Sequence, residues 1–144
     1  IKAVALAELA ADGLWWWIPV PFIAARAAQV KLAVSMTYAR EEGGTAAVFV
    51  KNAGRRHFVA ALLQAVLLCG LLAGMGGVAA LLAADLAALV LARRFRRAVG
   101  GVTGDLLGLG NEWVETGLLA VFAAAGPWLA YVDWSVFYLP PPAF

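Results

Sequence analysis

From residue 58 to residue 92 the chain carries a single charged side chain, Asp85, in a run built almost entirely from Ala, Leu, Val and Gly. As one straight helix that run would extend about 50 Å, well beyond the ~30 Å hydrocarbon core of a bilayer. Two apolar helices fit where one does not, and the GMGG stretch with Gly74, Gly76 and Gly77 is where the run divides. Hydrophobic residues make up 64% of the 144 residues, and mean hydropathy is +0.85. A small soluble core does not absorb that much apolar surface. The expected fold class is therefore all-α, a multi-pass transmembrane helix bundle forming a single integral-membrane domain over residues 1–144.

About four spans are expected after a truncated N-terminal stub at residues 1–9. The stub looks like the end of an apolar helix with nothing before it, so the chain is read as a fragment of a longer protein. WWWIPVPF, with Trp15, Trp16 and Trp17 before Pro19 and Pro21, suits an interfacial aromatic belt followed by a helix from near Pro21 to about Tyr38. Gly70 and Gly74 are spaced for close helix contact. The final span is expected from about Asn111 to a break at Gly126 and Pro127, with Trp128, Tyr131 and Trp134 as the far belt. The three prolines of the tail exclude a further helix there.

The net charge of +2 says little until its placement is considered. Arg40, Lys51, Arg55 and Arg56 form one basic cluster and Arg93, Arg94, Arg96 and Arg97 another, both at ends of apolar runs. The positive-inside rule puts the two clusters on the cytoplasmic face. Neither has the aromatic interleaving of a nucleic-acid surface, so no nucleic-acid partner is expected. His57 reads as an interfacial polar residue. The lone Cys69 reads as a small buried hydrophobe and allows no disulfide within the chain. Arg26, Lys31 and Asp85 fall inside predicted spans, where unpaired charge is costly; Lys31 and Asp85 lie at similar depth and are expected to pair.

The chemistry concentrates between residues 100 and 115, GGVTGDLLGLGNEWVE. Gly100, Gly101, Gly104, Gly108 and Gly110 are read as one flexible loop whose amides reach phosphate oxygens, with Thr103 beside them. The stretch is neither a Walker A loop, lacking Gly-Lys-Ser/Thr, nor a dinucleotide fingerprint, since Trp113 replaces the third glycine. Asp105 is available to Mg²⁺, which takes one or two protein carboxylates and leaves its other positions to water and phosphate. Glu112 and Glu115, three apart, share a helix face at the cytoplasmic start of the last span. The three carboxylates are expected to sit together. The bland alternative makes the loop a turn and the two glutamates partners of the helix dipole.

YAREEGG at residues 38–44 and RRFRRAVGGVTGDLLGLGNEWVE at residues 93–115, with an arginine in the preceding span at Arg26 and a hydrophobic helix after the carboxylates, resemble the second half of the cobalamin synthase family, the adenosylcobinamide-GDP ribazoletransferases. The resemblance extends to about Ala125. It implies an integral membrane enzyme of late cobalamin biosynthesis, multi-pass in the cell's inner membrane with cytoplasmic catalytic loops. Such an enzyme uses Mg²⁺ to join α-ribazole, or its 5′-phosphate, to adenosylcobinamide-GDP with release of GMP. On that resemblance Asp105, Glu112 and Glu115 are the catalytic candidates, with Asp105 also the metal candidate. Arg40, Arg93, Arg94, Gly100, Gly101, Thr103 and Gly104 are the substrate-binding candidates. The family's aspartate-rich motif, resembling DGLADTADGL, belongs to the first half; ADGL at residues 11–14 is not that site. A homo-oligomer is compatible with this reading. The competing readings are a small noncatalytic membrane protein and another phosphotransferase using a nucleotide-diphosphate donor.

Overall fold

A computed structural model describes residues 1–40, 44 and 46–129. In chain order these form α1 (Lys2–Ala11), a 3₁₀ turn at Trp15–Trp17, α2 (Pro19–Ser35), α3 (Ala47–Asn52), α4 (Arg55–Val99) and α5 (Gly104–Leu129). Among the described residues there is no strand, only one parallel backbone bridge between Tyr38 and Val102. The architecture is all-α, as the hydropathy pattern requires.

The apolar run divides where its glycines lie. Inside α4, Ala73 (φ −138°, ψ 21°) and Gly74 (φ 52°, ψ −138°) leave helical geometry. A Cβ on Gly77 would collide with the backbone carbonyl of Cys69, eight residues earlier. In a continuous helix those positions stand about 12 Å apart. The two halves of α4 therefore turn back on one another, and only glycine permits both the left-handed φ at position 74 and the contact at position 77. Gly74 is spent on this turn rather than on the expected pairing with Gly70, whose neighbour is Val78.

Helix ends follow local chemistry. Pro19 opens α2 in its first turn, where a missing N–H costs nothing, two residues before the expected start at Pro21. The helix ends at Ser35, not Tyr38, when Met36 turns extended. At the start of α4, His57 Nδ1 accepts the Gly54 N–H at 3.0 Å, so this histidine is a helix cap. Gly100, at φ 75°, ends α4 with Arg96 and Arg97 in the last turn, facing the negative end of the helix dipole.

α2 lies at the centre, against both halves of α4 and against α5, while α1 covers α5 from the side. Val20, Ala24, Ala28 and Leu32 recur every four residues along its buried stripe. Ala80, Ala84, Ala88 and Ala92 do the same on the second half of α4. Alanine on both sides lets the two backbones approach closely. Of the expected aromatic belt, Trp15 and Trp16 are exposed, whereas Trp17 is buried and meets Phe122 edge-on at 5.0 Å. Trp17 also lies against Gly76, where any side chain would strike its ring.

Several sequence expectations are corrected here. The last helix starts at Gly104, not near Asn111, and continues through Gly126 and Pro127 to Leu129. Gly126 is held against Asp12, so α1 supports this end of α5 where a break was expected. The loop after α2 contains the short helix α3. Among the described residues α4, which the kink at Gly74 divides, is the one helix long and apolar enough to cross a membrane. Its outer face, including Leu63, Leu67, Leu71, Leu82 and Leu86, is exposed. Tyr131, Trp134 and the proline-rich tail lie outside the described residues.

The expected intramembrane pair forms: Lys31 Nζ donates to Asp85 Oδ2, and the same ammonium stands 5.9 Å from the Phe58 ring. Replacing either member by an apolar residue, Lys31→Met or Asp85→Leu, leaves the other charge half-buried without a partner. A double-mutant cycle followed by thermal unfolding in detergent is expected to return a coupling energy of about 0.5–3 kcal/mol, with the double variant more stable than the sum of the singles. Strictly additive losses would show that the pair contributes nothing.

Candidate functional site

Two loops far apart in sequence are stitched together at one end of the bundle. The Ala39 N–H donates to the Val102 carbonyl and the Val102 N–H to the Thr37 carbonyl, both at 2.9 Å. Gly101 lies so close to the Thr37 carbonyl that a Cβ could not fit, so this close approach requires glycine. Arg96 extends from α4 to donate to the Ser35 carbonyl at 3.1 Å, tying the end of α2 to the same corner. The consequence is a salt bridge from Arg40 Nη2 to Asp105 Oδ2 at 2.8 Å, although 65 residues separate them.

Less of this stretch is loop than its composition suggests. Thr103 Oγ1 accepts the Leu106 N–H at 3.3 Å, capping a helix that begins at the next residue. Asp105 therefore sits in the first turn of α5, favoured by the positive helix end, and Gly108 and Gly110 are helical. Gly110 has a packing reason: a Cβ there would come within 2.7 Å of Leu32. What remains as loop is residues 100–103, followed by the positive end of the α5 dipole, which suits an anion. Arg93 and Arg94 are exposed on α4, with buried Phe95 anchoring the helix beside them. Glu41, Glu42 and Gly43 of YAREEGG lie outside the described residues.

The three carboxylates do not meet. Asp105 precedes Glu112 and Glu115 by seven and ten residues of continuous helix, about 10 and 15 Å. It faces Arg40, with the Arg40 and Asp105 side chains 59% and 82% exposed. The two glutamates share a different cation: Lys2 Nζ donates to Glu112 Oε2 at 2.7 Å and to Glu115 Oε1 at 2.5 Å. Asn111 Nδ2 donates to the other oxygen of Glu115 at 3.3 Å, within a buried part of the cluster. Both glutamates lie more than two turns into α5, beyond the first turn over which the helix dipole acts, so the dipole reading fails for them.

Lys2 and Asn111 escaped the sequence reading. Lys2 had a weak signal, being the only basic residue of an apolar stub, and a charge in that setting needs a counter-charge. Asn111 had none. Arg26 is exposed on α2 and donates to Gln29 Oε1 at 3.1 Å; Gln29 in turn donates to the Leu107 carbonyl of α5 at 3.4 Å.

Among the described residues no three His, Cys, Asp or Glu side chains group as a metal site. Among the described carboxylates Asp105 fits the partial role that Mg²⁺ asks of a protein: one exposed carboxylate at a helix N-terminus, with room for water and phosphate to complete the shell. Asp12 is remote from it. It lies beside Gly126 at the far end of α5, roughly 30 Å along the helix from Asp105, so the ADGL stretch is no part of this corner.

Residues 1–123 match the family model described as cobalamin-5-phosphate synthase. The chain is 44% identical over 121 residues to the adenosylcobinamide-GDP ribazoletransferase of Chlorobium phaeobacteroides (strain BS1), a match covering 79% of this chain and 47% of the relative. The proteins of the same name from Chlorobaculum parvum and Chlorobaculum tepidum are 38% and 35% identical, over 89% and 94% of this chain and 50% and 53% of theirs. The chain thus spans about half the length of the curated relatives it matches. No solved structure matches it.

The Lys2 cluster yields a stability prediction. Lys2→Met leaves the Glu115 side chain, 7% exposed, without its cation. The expected loss is about 1.5–3 kcal/mol, seen as a lower melting temperature in detergent. Glu115→Gln in the same chain removes the orphaned charge and is expected to recover most of it. An unchanged melting temperature for Lys2→Met would show that water, not Lys2, satisfies the glutamates.

Proposed function

The chain belongs to the cobalamin-5-phosphate synthase family, and on that premise we propose that it carries part of the active site for joining α-ribazole, or its 5′-phosphate, to adenosylcobinamide-GDP with release of GMP. The observation that carries the reading is the Arg40–Asp105 corner: one cation and one exposed carboxylate at the N-terminus of α5, brought together by the Ala39–Val102 pairing.

The reaction forms a bond from a ribose hydroxyl oxygen to the phosphorus nearer the cobinamide and breaks the bond from that phosphorus to GMP. The hydroxyl proton passes to a base. Little covalent work falls to the protein, so positioning and charge neutralisation dominate. Arg40, with Arg93 and Arg94 on the neighbouring helix, neutralises the diphosphate, and the amides at the start of α5 receive its oxygens. Gly100 keeps that approach free of side-chain bulk, while Gly101 on Thr37, Gly104 against Ala46 and the Thr103 cap fix the backbone around it. Mg²⁺, held in part by Asp105, would add charge neutralisation at phosphorus when bound. Glu112 and Glu115 serve as base or as contacts to the incoming nucleoside.

In this reading the protein is a multi-pass inner-membrane enzyme with its corner on the cytoplasmic side. The two halves of α4 are separate crossings, and α2 and α5 cross beside them. Support comes from the exposed apolar face of α4 and from the basic residues at both its ends, Arg55, Arg56, Arg96 and Arg97.

Two measurements test the proposal. Asp105→Asn in the complete enzyme keeps size but removes charge. It is expected to slow GMP release about 100-fold or more, with partial recovery across a Mg²⁺ titration, while membrane insertion is unchanged. Normal turnover at low Mg²⁺ would remove Asp105 from the site. For topology, Val48→Cys and Arg97→Cys in a Cys69→Ala background are both expected to react with a membrane-impermeant thiol reagent only from the cytoplasmic side. Labelling from opposite sides would refute the shared face.

A further inference from the structure

Asn111 is 4% exposed, and its side-chain oxygen has no hydrogen-bond partner among the described residues. Its nitrogen is spent on Glu115. Folded proteins rarely leave such an atom orphaned, and when they do, an unseen water or ligand is the usual reason. The atom belongs to a set with one polarity. Asn111 Oδ1, Glu112 and Glu115 are all acceptors, and the one cation among them, Lys2, already serves both carboxylates. Such a set repels phosphate and takes donors.

The cluster is also connected to the Arg40 corner along α5. Asp105 and Glu112 are seven residues apart and so share a face, about 10 Å from one another. Between them lies Gly108, with nothing within 4 Å of where its Cβ would stand. The strip has a cation at one end, acceptors at the other and an open floor.

We propose that Asn111, with Glu112 and Glu115, is the subsite that receives the ribose hydroxyls of the nucleoside, which lies over Gly108 with its reacting oxygen toward Asp105. This rests on the function proposed above and specifies which part of the strip recognises which part of the substrate. In α-ribazole both ring nitrogens lack hydrogen, so the ribose hydroxyls are its only donors. Asn111 Oδ1 accepts one of them, and Lys2 acts as a positioning residue that holds the Glu115 side chain in place beside it. The other donors in the reaction all belong to adenosylcobinamide-GDP, in its cobinamide amides, its purine N–H groups and its own ribose hydroxyls, and the experiment separates the two substrates.

The test measures GMP release by the complete enzyme in membranes while each substrate is varied. Asn111→Ala is expected to raise KM for α-ribazole about tenfold and leave KM for adenosylcobinamide-GDP unchanged. Ribazoles lacking the 2′- or the 3′-hydroxyl are also compared: one that lacks the attacking oxygen gives no product, and one that keeps it should lose a similar factor on the unaltered enzyme and lose nothing further on Asn111→Ala. An unchanged α-ribazole KM, or a rise confined to adenosylcobinamide-GDP, overturns the assignment. Should Asn111→Ala not reach the membrane, Gly108→Ala decides. Its methyl meets open space in the fold and favours the helix, yet it intrudes on the floor of the strip. Gly117→Ala, equally open and on another face of α5, is the control and should be silent. Equal behaviour of these two variants overturns the proposal. If the unaltered enzyme releases no GMP, the functional reading fails by itself. Equilibrium dialysis of labelled α-ribazole then judges the subsite, with binding lost in Asn111→Ala sustaining it and binding retained, or absent throughout, refuting it.

Discussion

A charge inside an apolar helix bundle costs a few kcal/mol unless an opposite charge meets it, and that constraint sets how these helices align. Lys31 on α2 meets Asp85 on the second half of α4 while lying near the Phe58 ring on the first half, so it fixes both halves against α2 at one depth. Lys2 does the same for α1 against α5 through Glu112 and Glu115. Sliding either interface by one turn, about 5.4 Å, would orphan a charge. Apolar packing alone sets no such register, because one Ala or Leu replaces another along a uniform stripe.

Small residues make that alignment physically accessible. Gly77 against the Cys69 carbonyl brings the halves of α4 together, Gly110 admits Leu32 between α2 and α5, and Gly101 lets the chain after α4 lie on Thr37. Each contact has no room for a Cβ. Together they bring the ends of α2 and α4 and the start of α5 to a single corner, where two backbone hydrogen bonds suffice to seat Arg40 on Asp105.

In the proposed function this arrangement gives a division of labour along one helix. The first turn of α5 faces outward, with positive dipole and a nearby arginine, and suits phosphate. Two turns further in, the same helix presents carboxylates and an amide oxygen, which reject phosphate and suit hydroxyls. A helix that changes polarity along one face can orient an elongated substrate without any moving part. Burial sharpens the contrast, since Glu115 and Asn111 are almost wholly enclosed while Asp105 is open.

Composition and charge by themselves determined an all-α, strongly apolar bundle, the division of the long run at Gly74, and the need of Lys31 for Asp85. These are one-dimensional properties: apolar length against helix rise, glycine against helix continuity, and depth counted from a basic cluster. The candidate phosphate end was legible as composition, since glycines with a threonine and an aspartate mark a stretch fit for phosphate, but not as structure: it reads as loop, and that Thr103 caps a helix there appears only in the fold. The grouping of the carboxylates was not. Read in sequence, Asp105, Glu112 and Glu115 are neighbours; in the fold, seven residues of unbroken helix separate the first from the others, because packing against Leu32 keeps Gly110 helical where glycine's own preference favours a loop. Only the tertiary structure decided that Lys2, 110 residues away, supplies the cation for Glu112, and that Asn111 is buried with an unused oxygen. Both depend on how α1 lies on α5, a long-range packing choice that no local pattern encodes.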